Sequence, residues 1–481
     1  MDKVTAHISM LSPQQIDVVH ANTLKLLATT GIRVDSKRAR DLFVDATGFP
    51  ATDDRIRIPN DLVEYAIKSS PAKIDLFDRT GVAAFTLGNP QQSGTIFGIG
   101  VTNSWYQNPE NDKIEVFTRR HLTQATLLGH SLSSYDVVST PGVIQEPGLE
   151  HPEVVATLEM LANTTKPLVA LISNPTEFTI MLDLLEHLHG DLSDAPFLIP
   201  YFNPITPLVI NEDTSDKLFS TIERGLPFIY SSYGMSGATA PITAGGTLVL
   251  LNAELLAGLV LAQLIQPGTP VILGSLPAVF DMKNMISAYT SQTMLLNLAC
   301  SEMMAHYGIP HSGSSGSGSG WGPDLLASGT LWMNHLINTL AQVNLAPFVG
   351  GNFDSLAFSP STVIYSNEII RQVRLFSQGF SLDDSSVGLD TIDEVGPGGN
   401  FLMSEQTHKL YLETHEQHSH IWPGYSLDTW LERGSPKADE TLREYALDLL
   451  DNLTAPIDHD EIIGEGERFL ARVKGLDSPS R

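Results

Sequence analysis

The sequence predicts an α/β protein whose central domain is a (β/α)8 barrel of the TIM type. From about residue 121, short apolar runs alternate with helix-like stretches, the pattern of parallel strands joined by crossover helices. Eight such runs with seven helices between them match the strand number of a closed barrel. A doubly wound open sheet shares this alternation and is the structural alternative.

The first 120 residues predict an N-terminal helical cap with a small β-sheet. Ser12 followed by Pro13 is a helix-start signal, and Gly31 ends that helix. Two further helices are predicted over Lys37–Ala46 and Asn60–Ser69. Apolar runs bounded by Gly-rich turns predict three short strands, at Ile74–Phe77, Ala83–Leu87 and Thr95–Ile99.

Residues 121–400 are assigned to the barrel, and residues 401–481 to a C-terminal helical extension. The predicted barrel strands are Val137–Ser139, Leu168–Ile172, Phe197–Tyr201, Phe228–Ser231, Val271–Gly274, Ile309–His311, Val343–Val349 and, more weakly, Gly379–Leu389. Active sites of such barrels lie on the loops after the carboxyl ends of the strands. We therefore expect the functional residues on the loops that follow these runs.

One of these loops, Ser312–Gly322, consists of Gly and Ser with a single Trp321. Its composition is typical of a flexible linker between domains. However, apolar helix-like runs flank it on both sides, so we predict a loop inside the barrel domain. Glycine there would allow a close approach of the backbone to a neighbour or a ligand.

Charge and cysteine content restrict the class of protein. The formal net charge of −27 makes nucleic acid and anionic membranes poor partners. A lone Cys300 rules out an intrachain disulfide framework and a multi-cysteine metal site. The N-terminus lacks a signal-peptide pattern, and polar residues interrupt the most apolar run, Thr247–Ile265, so we expect a cytoplasmic protein.

Basic residues are scarce where the barrel is predicted. Between His121 and Ile370 there are four, Lys166, Lys217, Arg224 and Lys283, against twenty Asp and Glu. A cavity in this part of the chain would attract cations.

The central segments resemble a known family. The stretch Gly234–Thr247, followed by Asn252–Gly258 and Gln266–Ile272, is similar to the trimethylamine methyltransferase superfamily. Thr165–Leu168, Gly350–Phe353, Val395–Leu402 and the N-terminal Leu11–Val34 extend the resemblance over nearly the whole chain. The founding members carry pyrrolysine, which this sequence lacks, so it resembles the members that act on glycine betaine and other quaternary amines.

The resemblance implies a (β/α)8 barrel whose cavity receives a methylated amine. It also implies a separate corrinoid protein as partner, whose cobalt(I) accepts the methyl group, and a role in methanogenesis or other one-carbon metabolism. On this basis the chain itself would hold no tightly bound cofactor and no metal. A homo-oligomer is expected from the family.

The chemistry of a quaternary amine suggests which side chains to look for. Loss of a methyl group from it leaves a neutral tertiary amine, so no general acid is needed. Aromatic faces attract ammonium groups without hydrogen bonds. The aromatic residues on or beside the predicted loops are Tyr201, Phe202, Tyr230, Tyr233, Phe280, Trp321, Trp332, Phe348 and Phe353. Among them we favour Tyr233, Phe280, Trp321 and Phe353, although core packing explains most aromatics in any protein.

A betaine also carries a carboxylate, which needs a hydrogen-bond donor. His311 and His335 are the first candidates, with Asn352 and Asn203 as weaker ones. Asp281 and Glu254 could pair with the ammonium group or make structural hydrogen bonds.

Two alternative functions and a metal site remain open. Ser319 and Trp321 stand where many relatives have Asp and Lys, so the chain could bind amines without transferring methyl groups. The segment Gly316–Gly320 reads Gly-Ser-Gly-Ser-Gly, a weak likeness to the Gly-x-Ser-x-Gly elbow of serine hydrolases, so a barrel hydrolase is the second alternative. The cluster His415–His420 is rich in histidine but fits no strong zinc spacing.

Overall fold

The computed structural model confirms the barrel. It describes residues 3–48, 55–88, 94–314, 316–415 and 419–477. The eight barrel strands are β1 Ile96–Ile99, β2 Val137–Ser139, β3 Leu168–Ala170, β4 Leu198–Phe202, β5 Phe228–Ser236, β6 Val271–Asp281, β7 His311–Ser312 and β8 Leu345–Asn352. Each strand pairs in parallel with the next, and β8 closes the barrel by pairing Leu345 with Ile96 of β1.

A helix follows every strand and covers the outside of the barrel. These helices are α1 Arg119–Ser131, α2 Pro152–Asn163, α3 Pro175–His189, α4 Glu212–Glu223, α5 Ala244–Ile265, α6 Ser291–Tyr307, α7 Leu325–Leu340 and α8 Pro360–Ser377. Several begin at capping side chains, as at Asn174 and Asp324, which accept hydrogen bonds from the first free backbone N–H groups.

One predicted strand was wrong. Gly379–Leu389 contains the short helix Asp384–Val387. The missing strand is β1, which we had placed in the small N-terminal sheet and before the barrel boundary at residue 121. All four of its residues are buried, as expected for a parallel strand covered on both faces. A run this short does not reveal which strands it will pair with.

The N-terminal segment covers two parts of the barrel. Its helices, Pro13–Thr29, Lys37–Thr47 and Asn60–Ser69, match the predictions and pack on α5. The antiparallel hairpin of Ile74–Phe77 and Ala83–Leu87 joins the interior side chains of the barrel. The hairpin therefore closes the amino-terminal end of the strands and leaves the carboxyl-terminal end for the site.

Strand residues alternate between the barrel interior and the helix layer. Ile229 and Ile272 belong to the interior cluster, whereas Tyr230 packs outward. Gly258 of α5 makes room for Tyr230, because a Cβ atom there would lie 2.1 Å from the tyrosine ring.

Helix α5 is the one described helix that is long and apolar enough to cross a membrane. Of its most apolar window, 83% is buried inside the protein. It packs against the strands and the N-terminal helices, so its apolar character is explained by the core. The cellular location stays a prediction.

The Gly/Ser-rich stretch is part of the barrel and not a linker. Ser312 ends β7, and Gly316 pairs with Val349 of β8. A Cβ atom on Gly316 would lie 2.3 Å from the Cα atom of Val349. The glycine is therefore required by a neighbouring strand.

Shorter elements complete the fold. Short strands occur at Arg33–Val34, Trp105–Gln107, Ile114–Val116, Val209–Ile210, Ile286–Ala288, Gly316–Ser317 and Ala357–Phe358. The C-terminal segment contains the helices Asp384–Val387, Leu389–Val395, Phe401–Met403, Glu405–His415, Leu427–Glu432, Ala438–Asp451 and His459–Asp477.

The last helix of the C-terminal segment packs on α2 and α3, and the side chain of the buried Arg79 forms a salt bridge of 2.5 Å with Asp458. This extension therefore folds back on the barrel.

Candidate functional site

A cavity of about 380 Å³ lies at the carboxyl-terminal end of the barrel strands. It is lined by Val101, Thr102, Leu171, Tyr201, Asn203, Pro204, Thr206, Tyr233, Thr239, Leu276 and Phe348. These residues lie at the ends of six of the eight strands or on the loops that follow them, and closure of the barrel brings them together. We call this space the barrel-mouth cavity. Its lining contains no Asp, Glu, Lys, Arg or His.

Three aromatic side chains form much of the wall of the barrel-mouth cavity. The rings of Tyr201 and Phe348 meet edge to face, with centroids 5.2 Å apart and planes at 80°. The hydroxyl of Tyr233 forms a hydrogen bond of 2.5 Å with Ser287 Oγ. The cavity therefore offers ring surfaces that are held in place by packing and by hydrogen bonds.

The tyrosines beside the cavity stay neutral at physiological pH. Burial raises the pKa of Tyr201 to about 12, and Nδ2 of Asn203 donates to its hydroxyl at 3.3 Å. Burial also raises the pKa of Tyr289, an effect to which its neighbours Tyr233 and Tyr201 add. The tyrosine rings and hydroxyls can therefore surround a ligand without becoming ionised.

A carboxylate lies next to this group of tyrosines. Asp354 accepts a hydrogen bond from the backbone N–H of Tyr289, and its buried Oδ1 has no partner among the described residues. Burial raises the pKa of Asp354. The backbone at Phe353, Asp354 and Ser355 has positive φ values of 52°, 52° and 77°. Left-handed conformations at three consecutive non-glycine residues are rare and occur often at functional sites.

Of the four aromatic residues favoured from the sequence, Tyr233 alone lines the barrel-mouth cavity, and Asn203, a weaker candidate, lines it as well. Phe280 and Asp281 lie in the hairpin at the end of β6. The Asn284 side-chain amide donates to the Asp281 carboxylate, as do the backbone N–H groups of Lys283 and Asn284, and these hydrogen bonds lower its pKa. Asp281 therefore stabilises its own turn.

Trp321 and Phe353 lie outside this cavity. Trp321 is 66% exposed and lines a different space of about 640 Å³, next to Tyr365, Trp422 and Arg443. Phe353 is exposed as well, and its backbone N–H donates to Gly320 at 2.9 Å. The exposed ring of Trp321 faces the C-terminal extension and not the centre of the barrel.

The two candidate histidines are buried in the protein. Nε2 of His311 lies 2.9 Å from Ser275 Oγ, and the ring of His335 packs edge to face on Phe97. Burial lowers the pKa of each to about 3. The Ser275–His311 pair does not line the barrel-mouth cavity, and His311 Nδ1 has no partner among the described residues. It therefore lacks the third group that orients a hydrolytic histidine.

Glu254 and Asn352 are occupied by structural hydrogen bonds. The buried Glu254 of α5 accepts from Thr206 Oγ1, from the backbone N–H of Leu208 and from Ser232 Oγ. It fixes the loop after β4 against β5. Asn352 donates to Gln107 Oε1 at 2.7 Å and accepts from Thr362 Oγ1 at 3.0 Å.

Four residues of the site were missed by the choice of candidates. Tyr201 and Phe348 were among the loop aromatics but were not favoured, and Tyr289 and Asp354 were not considered. Tyr201 and Phe348 sit inside strands that look like ordinary core in the sequence. Their position at the last interior layer of the barrel was the missing information.

A metal site finds no support in the residues described. No group of three or more His, Cys, Asp and Glu side chains there is arranged to hold an ion. The histidine-rich segment predicted as a weak candidate includes residues 416–418, which lie outside the described residues.

A family model described as "Trimethylamine methyltransferase (MTTB)" matches residues 1–475. The trimethylamine methyltransferase MttB of Desulfitobacterium hafniense is 28% identical over 453 residues, which cover 92% of this chain and 89% of the relative. A glycine betaine methyltransferase of the same species is 27% identical over 488 residues, covering 98% of both chains.

The monomethylamine methyltransferase MtmB of Methanosarcina barkeri is similar in fold. Its crystal structure superposes with a TM-score of 0.54 at 10% sequence identity, and the match covers 94% of this chain and 90% of that chain. At this identity the likeness concerns the barrel architecture alone.

Proposed function

Because the chain belongs to the trimethylamine methyltransferase (MTTB) family, we propose that it takes a methyl group from a quaternary amine and passes it to a corrinoid protein. The substrate is of the betaine type, with glycine betaine as the simplest example. The acceptor is the Co(I) centre of the partner's corrinoid, which supplies a nucleophile for the methyl carbon.

The observation that carries this proposal is the aromatic, uncharged lining of the barrel-mouth cavity. Tyr201, Tyr233 and Phe348 provide faces or edges suited to an ammonium ion, each contributing on the order of 0.5–2 kcal/mol. The volume of about 380 Å³ is sufficient for a small amine. The match along 98% of a glycine betaine methyltransferase supports the same substrate class.

The uncharged lining also suits the chemistry. When the methyl carbon is attacked, the C–N bond breaks and its electron pair stays on nitrogen. The product amine is neutral, so no proton has to be supplied. The protein needs to desolvate the cation and to hold one methyl group toward the open end of the barrel.

Very tight binding of the cation would make methyl transfer slower. Positive charge leaves the nitrogen in the transition state, so an ion pair tight in the ground state would slow the transfer. The Asp354 carboxylate, which accepts from the backbone N–H of Tyr289, does not line the cavity, so a cation bound there would not form a direct ion pair with it.

Methylation of reduced cobalamin tests the proposal. The purified protein is mixed with chemically reduced cob(I)alamin and with glycine betaine, proline betaine, carnitine, choline or trimethylamine, and the absorbance of cobalt is followed. We expect methylation with a quaternary amine and none with trimethylamine. Activity with trimethylamine alone would contradict the proposed substrate class.

Binding measured on the same panel separates the enzyme from a non-catalytic receptor. Isothermal titration gives the affinity for each amine without cobalt. A quaternary amine that binds, yet is not demethylated in the presence of the cognate corrinoid protein, would identify the chain as a binding protein. A chain that binds none of the quaternary amines would refute both functions.

A further inference from the structure

A second cavity of about 380 Å³ adjoins the barrel-mouth cavity. The two share Thr102, Leu171, Tyr201 and Asn203 in their linings, so they lie side by side at the ends of β1, β3 and β4. We call the second space the side cavity. Unlike the barrel-mouth cavity, it contains charged residues, including Lys217.

Lys217 is a buried cation that has no carboxylate bound to it. Only 8% of its surface is exposed, and Nζ donates to the carbonyl oxygens of Ile172 at 3.0 Å and Ser173 at 3.1 Å. An ammonium group has three N–H donors, so one remains without an acceptor among the described residues. No salt bridge within 4 Å involves Lys217 in the described part of the chain.

The other polar groups of the side cavity leave this donor available. Both Glu153 oxygens accept backbone N–H groups, from Ser173 and Asn174, so its charge is already stabilised. Asp213 lines the cavity from the solvent side. Burial lowers the pKa of Lys217, and the carboxylates of Glu153 and Asp213 act in the opposite direction.

Asn211 provides a second unsatisfied group in the same cavity. It precedes α4, but its side chain does not cap the helix. Its Oδ1 is buried without a partner, and the amide forms no hydrogen bond with any described residue. A buried amide oxygen is normally paired with an N–H or O–H donor, so this one is free to accept from a water molecule or a ligand.

We propose that Lys217 binds the carboxylate of the amine substrate in the side cavity, while the ammonium group occupies the barrel-mouth cavity. This inference rests on the proposed function, because it assigns the second end of the same substrate.

The positions of the two cavities set the length of the substrate. Tyr201 faces the barrel interior, and the next residue, Phe202, faces the helix layer. Nζ of Lys217 lies 5.8 Å from the centre of the Phe202 ring, so the cation is on the helix side of β4. A ligand that reaches both groups extends from the interior side to the helix side of β4. We therefore expect trimethylammonium carboxylates with more than one methylene group to bind more tightly than glycine betaine, which has one.

Matched ligand pairs test the inference on the unmodified protein. Trimethylammonium carboxylates with one to four methylene groups and their methyl esters differ only in the negative charge and a methyl group. Isothermal titration should give about tenfold tighter binding of the longer acids than of their esters, the value expected for a charge-assisted hydrogen bond. Equal affinities of acid and ester, at every length, would overturn the role of Lys217.

Two variants of the side cavity have opposite expected effects. Lys217→Met should abolish the preference for the acid while leaving the affinity for the ester within about twofold. Asp213→Asn removes a negative charge from the same cavity and should increase the acid preference by about twofold. A Lys217→Met protein that folds and still prefers the acid would contradict the assignment.

The outcomes also separate this inference from the proposed function. Ester binding without any preference for the acid would refute the carboxylate site and retain the quaternary-amine site. Failure of the wild-type protein to bind either ligand would refute the quaternary-amine site itself, and with it the inference.

Discussion

Tyr201 of β4 and Phe348 of β8 meet across the mouth of the barrel, with ring centroids 5.2 Å apart. The two residues come from opposite sides of the closed barrel, because three strands separate β4 from β8 in each direction around it. Their contact marks the last interior layer below the barrel-mouth cavity. It ties the shape of the cavity directly to closure of the barrel.

Phe348→Leu should weaken binding of a quaternary amine while the protein stays folded. The change removes a ring but keeps most of the apolar volume, so a stability loss below about 1.5 kcal/mol is expected. Loss of one cation–aromatic contact lowers affinity by about two- to thirtyfold. Isothermal titration measures the affinity, and thermal melting checks the fold.

Trp321→Ala is the matched control for this experiment, because Trp321 lines the cavity near the C-terminal extension. Its affinity for the amine should equal that of the wild-type protein. A large loss in Trp321→Ala, with little change in Phe348→Leu, would show that the ammonium group binds elsewhere.

The hydrogen bond between Tyr233 and Ser287 connects β5 to the hairpin that extends β6. Tyr233→Phe and Ser287→Ala each remove it, and each should cost about 0.5–1.5 kcal/mol of unfolding free energy. The double variant should cost little more than either single one, since both act on one interaction. Denaturant titration gives the three values, and strictly additive losses would disprove the coupling.

Gly316→Ala should destabilise the protein, and Gly318→Ala should not. A Cβ atom at Gly316 would lie 2.3 Å from the backbone of Val349, whereas the nearest atoms to one at Gly318 are 4.0 Å away. Strain in a packed region of this kind costs about 1–3 kcal/mol. Thermal melting of the two variants tests the difference, and similar melting temperatures would show that the loop is not held against β8.

Acid should destabilise the protein partly through His311. Burial holds the pKa of His311 at about 3, below its unfolded value near 6.5, so between these values the unfolded chain binds a proton that the folded chain does not. Stability is therefore lost as pH falls below about 6.5, by up to about 1.4 kcal/mol per pH unit for this one group.

His311→Gln isolates that contribution, because glutamine can still pair with Ser275 but does not titrate. Between pH 6 and pH 4 its unfolding free energy should depend on pH less steeply than that of the wild-type protein. Parallel curves from urea titrations would mean that the folded protein also protonates His311.

The sequence predicted local features well. The capped helix after Ser12 and its left-handed glycine end at Gly31 depend on a few neighbouring residues. The family resemblance depended on ordered segments such as Gly234–Thr247 and is confirmed by the family match. Both kinds of information are contained in short stretches of chain.

The candidate site was harder to predict, as two aromatic residues show. Trp321 looked like a wall of the site because its loop is poor in other side chains, yet it faces the C-terminal extension. Phe348 looked like core because it lies within an apolar strand, yet it lines the cavity. Residue type does not tell which of these two aromatic side chains lines the cavity. The direction of each side chain depends on how its segment packs against the neighbouring strands.

The amino-acid sequence by itself therefore determined the barrel class, the helix ends and the family. The tertiary structure decided that β1 belongs to the barrel and that Tyr201, Tyr233 and Phe348 share one cavity beside Lys217. The physical reason is the separation along the chain of the residues that interact. Helix caps and apolar periodicity act over a few residues, whereas strand pairing and cavity walls arise from contacts between residues far apart in the chain.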